Sequence, residues 1–78
     1  LQDYRWKQIR MEALTNQRLA YGFNKCECCN DRESKLNVDH IKPRKTHPRL
    51  ALDLSNLQIL CEECNHGKGN WDTTDWRK

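Results

Sequence analysis

Two cysteine pairs, each with two residues between its members, constrain this chain more than any other feature. Cys26 and Cys29 form the first pair, and Cys61 and Cys64 form the second. A two-residue spacer lets both sulfurs of a pair reach one ion, and two such pairs supply the four thiolates of a tetrahedral structural zinc site. The sequence therefore predicts a zinc site at these four cysteines. Cys28 is an alternative to Cys29, but the spacing favours Cys29 and leaves Cys28 as a spare thiol.

The small size of the chain makes such a site necessary for stability. The chain has 78 residues, of which 36% are hydrophobic and 32% are charged, so it can bury only a modest core. Small domains of this kind usually need disulfides or a metal. Five cysteines, an odd number, argue against a complete disulfide framework. No secretory signal or long apolar run is present, so we expect a reduced, metal-stabilised domain without a membrane span.

The N-terminal segment has the pattern of a helix. Residues 3–20 contain neither glycine nor proline, and Trp6, Ile9 and Ala13 recur at helical spacing with Leu14 beside them. Gly22 lies where such a helix should end. We therefore expect an amphipathic helix within residues 1–22 that packs one buried stripe against the rest of the domain.

The remaining sequence predicts two short strands and a second helix. Apolar and polar residues alternate at 36–38 and at 57–59, which favours strands, and a helix is expected over 62–68. The fold class is thus a small α+β zinc-stabilised domain, with its core at 24–69 and a tail at 70–78. The two tail tryptophans, Trp71 and Trp76, are expected to fold back onto the core because exposed tryptophans are unfavourable.

An Asp-His pair between the cysteine pairs has no role in a structural zinc site. Asp39 offers a hard oxygen ligand suited to Mg²⁺ or Mn²⁺. The imidazole of His40 belongs to the side-chain type that exchanges a proton near neutral pH. Adjacent strand residues point to opposite faces, so both can serve one site only where the strand ends, and Pro43 supports such an ending.

Residues near the second cysteine pair offer further ligands, each with an alternative role. Asn56 is suited either to a turn or to holding a catalytic loop in shape. The amide oxygen of Asn65 is a candidate ligand beside Asp39, the alternative being a helix cap, and His66 is a competing ligand. Lys68 is a candidate phosphate contact, although exposure to solvent is the usual state of a lysine.

The charge balance permits a nucleic-acid partner without requiring one. Lysine and arginine total 14 against 11 acidic residues, which gives a formal net charge of +3 and an isoelectric point near 8.7. The distribution is more informative, because a basic cluster directly follows the Asp-His pair. We expect this cluster to contact the backbone of DNA through Lys42, Arg44 and Lys45.

Together these residues resemble the HNH endonuclease family, whose core is called the ββα-metal motif. The resemblance runs from Cys26 to about Gly69 through the segments CECC, VDHIKP, LSNLQILCEECN and GKGN. It implies that His40 is the general base, that Asp39 binds the catalytic divalent ion and that Asn56 orients the loop. Asn65 occupies the last motif position, which is often histidine, and asparagine favours hard ions over the softer ions that histidine accepts.

The resemblance implies a metal-dependent endonuclease that nicks or cleaves DNA, with Zn²⁺ as structural cofactor and Mg²⁺ or Mn²⁺ as catalytic cofactor. Double-stranded DNA with low sequence specificity is the implied substrate, and a soluble protein in the cytoplasm of a bacterium or its phage is the implied setting. The alternative is a non-catalytic zinc module that binds nucleic acid or a protein. That alternative gives Asp39 and His40 no joint role, and a redox role for the cysteine pairs is a third hypothesis.

Overall fold

The computed structural model describes residues 4–68 and 73–77. Its elements, in chain order, are helix α1, strand β1, two short 3₁₀ turns, strand β2 and helix α2. They span Tyr4–Tyr21, Leu36–His40, Pro48–Leu50, Leu54–Asn56, Leu57–Cys61 and Glu62–Lys68. The predicted small α+β fold is confirmed, and among the described residues no helix is long and apolar enough to cross a membrane.

Strand β2 is the centre of the domain. All five of its residues are buried, and it pairs antiparallel with β1 in a register that joins Leu36 to Cys61 and His40 to Leu57. The strand passes into α2 without a turn, because Cys61 is its last residue and Glu62 begins the helix. The zinc-side cysteines and the Asp-His pair therefore lie at opposite ends of one two-stranded sheet.

The second edge of β2 is also occupied. The Glu27 N–H donates to the Ile59 carbonyl at 2.8 Å, and the Glu27 side chain accepts from the Ile59 N–H at 2.7 Å. The first cysteine pair is thereby attached to the strand that carries the second. The Glu27 carboxylate thus accepts the N–H that the carbonyl of a neighbouring strand would otherwise accept.

The tail returns to β2 through its backbone rather than through its rings. The buried Gln58 amide donates to the Thr74 carbonyl at 3.2 Å and accepts from the Trp76 N–H at 2.9 Å. The Trp76 side chain remains 39% exposed, so the predicted burial of this ring is only partial. Trp71 lies outside the described residues.

The most buried residue of helix α1 does not belong to the predicted apolar stripe. The stripe of Trp6, Ile9, Ala13 and Leu14 is half-buried, whereas the most buried residue of the helix is Gln17, at 5% exposure. Gln17 lies on the same helical face, three turns beyond Trp6. The helix thus docks through a polar group with paired hydrogen bonds as well as through apolar contact.

The attachment of α1 is made at its C-terminal end. The Gln17 amide donates to the Lys25 carbonyl at 2.8 Å and accepts from the Lys25 N–H at 3.0 Å. Gly22 ends the helix with a positive φ of 87°, and its N–H donates to the Arg18 carbonyl. This tight stop turns the chain directly into the first cysteine pair.

Candidate metal centre and catalytic site

The four predicted cysteines converge on one point. The sulfurs of Cys26, Cys29, Cys61 and Cys64 all lie within 4.8 Å of one another. Tetrahedral zinc with Zn–S bonds of about 2.3 Å requires sulfurs about 3.8 Å apart, and the Cys29 and Cys61 sulfurs are 3.8 Å apart. All five cysteines are free thiols, so the geometry fits a metal ion rather than a disulfide.

Local backbone geometry shapes the first half of this centre. Residues 27–29 form a turn in which the Asn30 N–H donates to the Cys26 carbonyl at 2.9 Å. Asn30 itself has a φ of 68°, a left-handed conformation that asparagine tolerates better than most residues. The turn aims the Cys29 N–H at the Cys26 sulfur, 3.4 Å away, as suits a sulfur that carries negative charge.

Two of the four thiols have strongly different proton affinities. Burial raises the pKa of Cys26, but hydrogen bonds from the backbone of Cys29, Cys61 and Cys28 outweigh burial and lower it to about 7. Burial raises the pKa of Cys64, and hydrogen bonds with the neighbouring thiols raise it further. Cys26 is therefore ready to bind a cation as a thiolate near neutral pH, whereas Cys64 loses its proton only when a cation compensates the charge.

Cys28 is excluded from the sulfur cluster, as the spacing predicts. Its side chain packs instead against the core formed by Cys26, Leu60 and Cys61. A thiol in such a place behaves as a small hydrophobic side chain. The set of candidate ligands therefore includes Cys29 and not Cys28. The geometry of the four sulfurs confirms the prediction of a four-cysteine site suited to structural zinc.

His40 lies at the end of β1 and makes two contacts. Its Nε2 is 2.8 Å from the Ala51 carbonyl oxygen, in the loop between the strands. Its ring stacks on the indole of Trp6, with ring centroids 5.1 Å apart and planes 18° apart. A carbonyl oxygen can only accept, so Nε2 carries the proton and Nδ1 keeps its lone pair. Within the described part of the chain, no hydrogen bond engages Nδ1.

The Asp39 side chain reaches from the end of β1 to the end of α2. Its Oδ2 lies 3.3 Å from the Lys68 Nζ, and the Lys68 side chain is only 6% exposed. Among the described residues, Oδ2 is buried without a hydrogen bond. The alternative interpretation of Lys68, an ordinary exposed lysine, does not hold in the structure. The ion pair places a positive charge beside the buried Asp39 oxygen.

Asn56 holds the loop between the strands at its base. Its side-chain oxygen accepts from the Lys42 N–H at 2.9 Å, and its amide donates to the carbonyls of Lys42 and Leu50 at 3.1 and 3.3 Å. The side chain is 5% exposed, so these bonds are shielded from water. One buried amide thus closes the loop that carries both Ala51 and the basic cluster.

Asn65 lies on α2, and the structure places it by helical spacing. Lys68 follows Asn65 by three residues, so the two share a face, and Lys68 reaches Asp39 on β1. Asn65 therefore lies on the side of α2 that faces β1, and among the described residues no hydrogen bond holds its amide. His66, the competing ligand, is exposed and lies about 100° further round the helix.

The basic cluster lies in the loop between the strands and is open to solvent. Lys42, Arg44 and Lys45 are all exposed, within the loop closed by Asn56. His47 follows them and bonds the Thr46 hydroxyl through Nδ1 at 2.9 Å, away from the Asp39–Lys68 pair. These three basic side chains can approach a polyanion without prior rearrangement of the core.

Two contributors to the site were not found by sequence reasoning. The carbonyl of Ala51 has no side-chain signal, since every residue carries a carbonyl. Trp6 was assigned to core packing because its spacing fits a buried stripe. The sequence carries no signal for its contact with His40, because the end of β1 is placed beside the first turn of the helix only in the folded domain.

Comparison with known proteins covers this core, and the similarity to one relative extends into α1. The family model described as HNH endonuclease matches residues 26–70, which include all the cysteines, Asp39, His40, Asn56 and Asn65. Septu protein PtuB of Bacillus thuringiensis is 38% identical over 67 residues, which are 85% of this chain and 24% of that protein. No solved structure matches the chain significantly. Because the family model matches more than half of the chain, the chain belongs to the HNH endonuclease family.

Proposed function

We propose that this domain is a metal-dependent endonuclease that hydrolyses phosphodiester bonds of DNA by nicking or cleaving. The observation that carries the proposal is the hydrogen bond from His40 Nε2 to the Ala51 carbonyl. This bond sets the tautomer and leaves Nδ1 as a proton acceptor at the end of β1. A binding surface has no need of a histidine held in one tautomer, whereas a general base does.

In this mechanism His40 removes a proton from the attacking water. The water oxygen bonds to phosphorus as the bond from phosphorus to the 3′ oxygen breaks, and the 3′ oxygen takes up a proton from solvent. The family resemblance implies these products, a 5′-phosphate and a 3′-hydroxyl. The Ala51 carbonyl stabilises the positive ring that forms, because it continues to accept the Nε2 proton.

Asp39 and Asn65 are the proposed holders of the catalytic ion. Both offer oxygen, the donor that Mg²⁺ and Mn²⁺ prefer. The buried Asp39 Oδ2, which lacks a hydrogen bond among the described residues, fits a ligand position better than a structural one. When bound, the divalent ion stabilises negative charge at the phosphate and at the leaving 3′ oxygen.

The basic residues bind the substrate. Lys42, Arg44 and Lys45 lie on the loop that Asn56 closes, and we propose that they contact DNA phosphates. Lys68, although buried against Asp39, also lies within the site and is a fourth candidate phosphate contact. Phosphate contacts carry no base information, so they give low sequence specificity and strong sensitivity to salt.

Plasmid nicking tests the proposal. Supercoiled DNA is incubated with the zinc-loaded protein and Mg²⁺ or Mn²⁺, and the nicked and linear forms are quantified against an EDTA control. We expect His40→Ala to lower the rate by about 10²–10⁴-fold, the usual contribution of a general base. His47→Ala is the matched control, since His47 is an exposed histidine of the same loop, and it should retain full activity.

Each outcome of this assay has a distinct meaning. Metal-dependent nicking that His40→Ala abolishes, with zinc content and melting temperature unchanged, supports the nuclease. A folded, zinc-loaded wild type that cuts no DNA with either ion contradicts it. Equal activity in His40→Ala and His47→Ala rejects His40 as the base.

One observation favours the alternative of a non-catalytic zinc module. The Asp39–Lys68 ion pair gives Asp39 a structural partner that a module without an active site would also need. Such a module would shift DNA in a gel through Lys42, Arg44 and Lys45 while leaving the plasmid supercoiled with Mg²⁺ and Mn²⁺. The nicking assay therefore separates the two functions directly.

A further inference from the structure

We propose that Trp6 is a positioning residue for the imidazole of His40, an inference that rests on the proposed function of His40 as general base. Trp6 lies on α1, outside residues 26–70 that the family model matches. Its indole stacks on the imidazole at a centroid distance of 5.1 Å and an interplanar angle of 18°. The contact joins α1 to the His40 side chain at the end of β1.

The hydrogen bond to Ala51 alone does not fix the ring of His40. With Cβ held by the strand and Nε2 held by the carbonyl, the ring can still turn about the line that joins these two atoms. That rotation swings Nδ1, the atom that must meet the attacking water. A flat ring stacked on one face blocks the rotation, so Trp6 supplies the restraint that the hydrogen bond leaves open.

Helix α1 holds Trp6 in place from the other end of the domain. Gln17, three turns further along, forms paired hydrogen bonds with Lys25, the residue before Cys26. The rise from Trp6 to Gln17 is about 16 Å at 1.5 Å per residue. The helix therefore spans the distance from the cysteine centre to His40 and transmits the rigidity of one to the other.

Core packing alone does not explain the stack. An apolar side chain of any shape would cover the strand end, but parallel overlap of two rings depends on a planar partner. Leucine, which matches the apolar character but not the planarity, distinguishes the two roles. Phenylalanine keeps a flat face of smaller area and serves as the conservative replacement.

Kinetics of three variants test the inference. Single-turnover nicking is measured over a range of DNA concentrations for Trp6→Leu, Trp6→Phe and the control Tyr4→Leu, an exposed aromatic of the same helix. We expect Trp6→Leu to lower the maximal rate by about 10–100-fold, the cost of misplacing a reacting group by about 1 Å. The DNA concentration for half-maximal rate should not change. Trp6→Phe should stay within about threefold of wild type, and Tyr4→Leu should equal it.

A spectroscopic measurement tests the geometry without cleavage. The stacked indole should shift the His40 ring protons upfield in the NMR spectrum of the zinc-loaded protein, and Trp6→Leu should abolish that shift. Zinc content and spectral dispersion establish that each variant is folded. If Trp6→Leu does not fold, the comparison of Trp6→Phe with wild type in rate and ring-proton shift still tests the stack.

The outcomes separate this inference from the proposed function. Equal maximal rates for Trp6→Leu and Trp6→Phe, or a change confined to DNA affinity, would overturn the positioning role while leaving the nuclease intact. An inactive wild type with a clear upfield shift would overturn the nuclease, and with it a catalytic meaning for the stack. Absence of the shift in wild type would overturn the stack itself.

Discussion

The two ends of the sheet are built by different means. At the end near Cys61, four sulfurs converge within 4.8 Å, a geometry that one ion completes. At the end near His40, the positions depend on single contacts: a carbonyl on Nε2, an indole on the ring face and a lysine beside Asp39. The cysteine end fits a stabilising metal ion, and the histidine end carries the residues of the proposed active site.

The difference shows how so small a domain can hold a reactive site. Structural zinc contributes an apparent binding free energy of about 10–16 kcal/mol, comparable to the whole stability of a domain this size. Because the four sulfurs that fit zinc lie at one end, a group at the other end, such as Asp39 Oδ2, can remain without a hydrogen bond among the described residues. Changes at the two ends should therefore have separable effects.

Removal of a zinc ligand is the most severe test of this separation. Cys61→Ser should abolish zinc binding and cooperative unfolding together, because the sulfur lies at the junction of β2 and α2. Zinc content and circular dichroism melting measure both effects. Cys28→Ser, which alters a cysteine outside the cluster, should retain zinc and melt close to wild type. Equal zinc loss in the two variants would contradict the ligand set.

A second test uses pH, which should act on the cysteine end. The pKa of Cys26 is lowered to about 7 from an ordinary value of 9.0. A lowered pKa contributes stability that is fully present above the ordinary value and is lost as pH falls through about 7. We expect zinc affinity, measured by competition with a chelator, to fall as pH decreases from 8 to 6.

The same titration with His40→Ala sharpens the comparison. If the two ends are separable, this variant should show the wild-type dependence of zinc affinity on pH. A dependence that changes with His40 would show that the ends are coupled through protonation. If the affinity for zinc did not change between pH 8 and pH 6, the result would contradict a pKa of about 7 for Cys26.

A third test loosens the loop without touching a ligand. Asn56→Ala removes three part-buried hydrogen bonds, two with the Lys42 backbone and one with the Leu50 carbonyl, which still accepts from the Asp53 N–H. We expect a loss of about 1–3 kcal/mol in unfolding free energy, together with reduced nicking, while zinc remains bound. Chemical denaturation with the zinc-loaded protein measures the first effect. Asn16→Ala, at an exposed position of α1, is the control, and an equal loss there would contradict the loop-closing role.

The smallest expected effect is at the contact between the first cysteine pair and β2. Burial raises the pKa of Glu27 despite the Ile59 N–H that it accepts. Glu27→Gln keeps an oxygen acceptor and removes the buried charge, so the unfolding free energy should change by less than about 1 kcal/mol. A raised carboxyl pKa confers stability at low pH that is lost as pH rises through the folded pKa, so the variant should gain relative to wild type from pH 4 to 7.

Glu33→Gln, at an exposed position beyond the turn, is the control for Glu27→Gln. It should show no relative gain between pH 4 and 7. A large loss in Glu27→Gln at pH 7 would show that the charge itself, rather than its oxygen, holds the cysteine turn to the strand.

Most of the fold could be predicted from the sequence because it depends on spacing and periodicity. The two-residue spacing within each cysteine pair predicted Cys29 rather than Cys28 as a metal ligand. The alternation of apolar and polar residues located both strands. Helix α2 was predicted at its observed bounds. These features are local, so a short window of sequence contains the information that determines them.

The rest depended on contacts that one element makes with another. Lys68 was predicted only as a candidate phosphate contact, because nothing near it in sequence shows that Asp39 will lie 3.3 Å away. Gln17 reads as a polar interruption of an apolar stripe, yet it is the most buried residue of α1 because Lys25 offers it a complementary backbone. The role of Trp6 likewise follows only from where β1 ends. The sequence shows which hydrogen bonds and ion pairs a side chain can form, but only the structure shows which partner it meets.

The span of α1 bears on where this domain can be cut and joined. The family model begins at Cys26, yet the helix that contacts His40 begins at Tyr4 and is attached through Gln17. A graft that starts at Cys26 would carry every motif of the family model but would lose Trp6, the planar neighbour of the His40 ring. The minimal transplantable domain is accordingly longer at its N-terminal side than the segment that the family model matches.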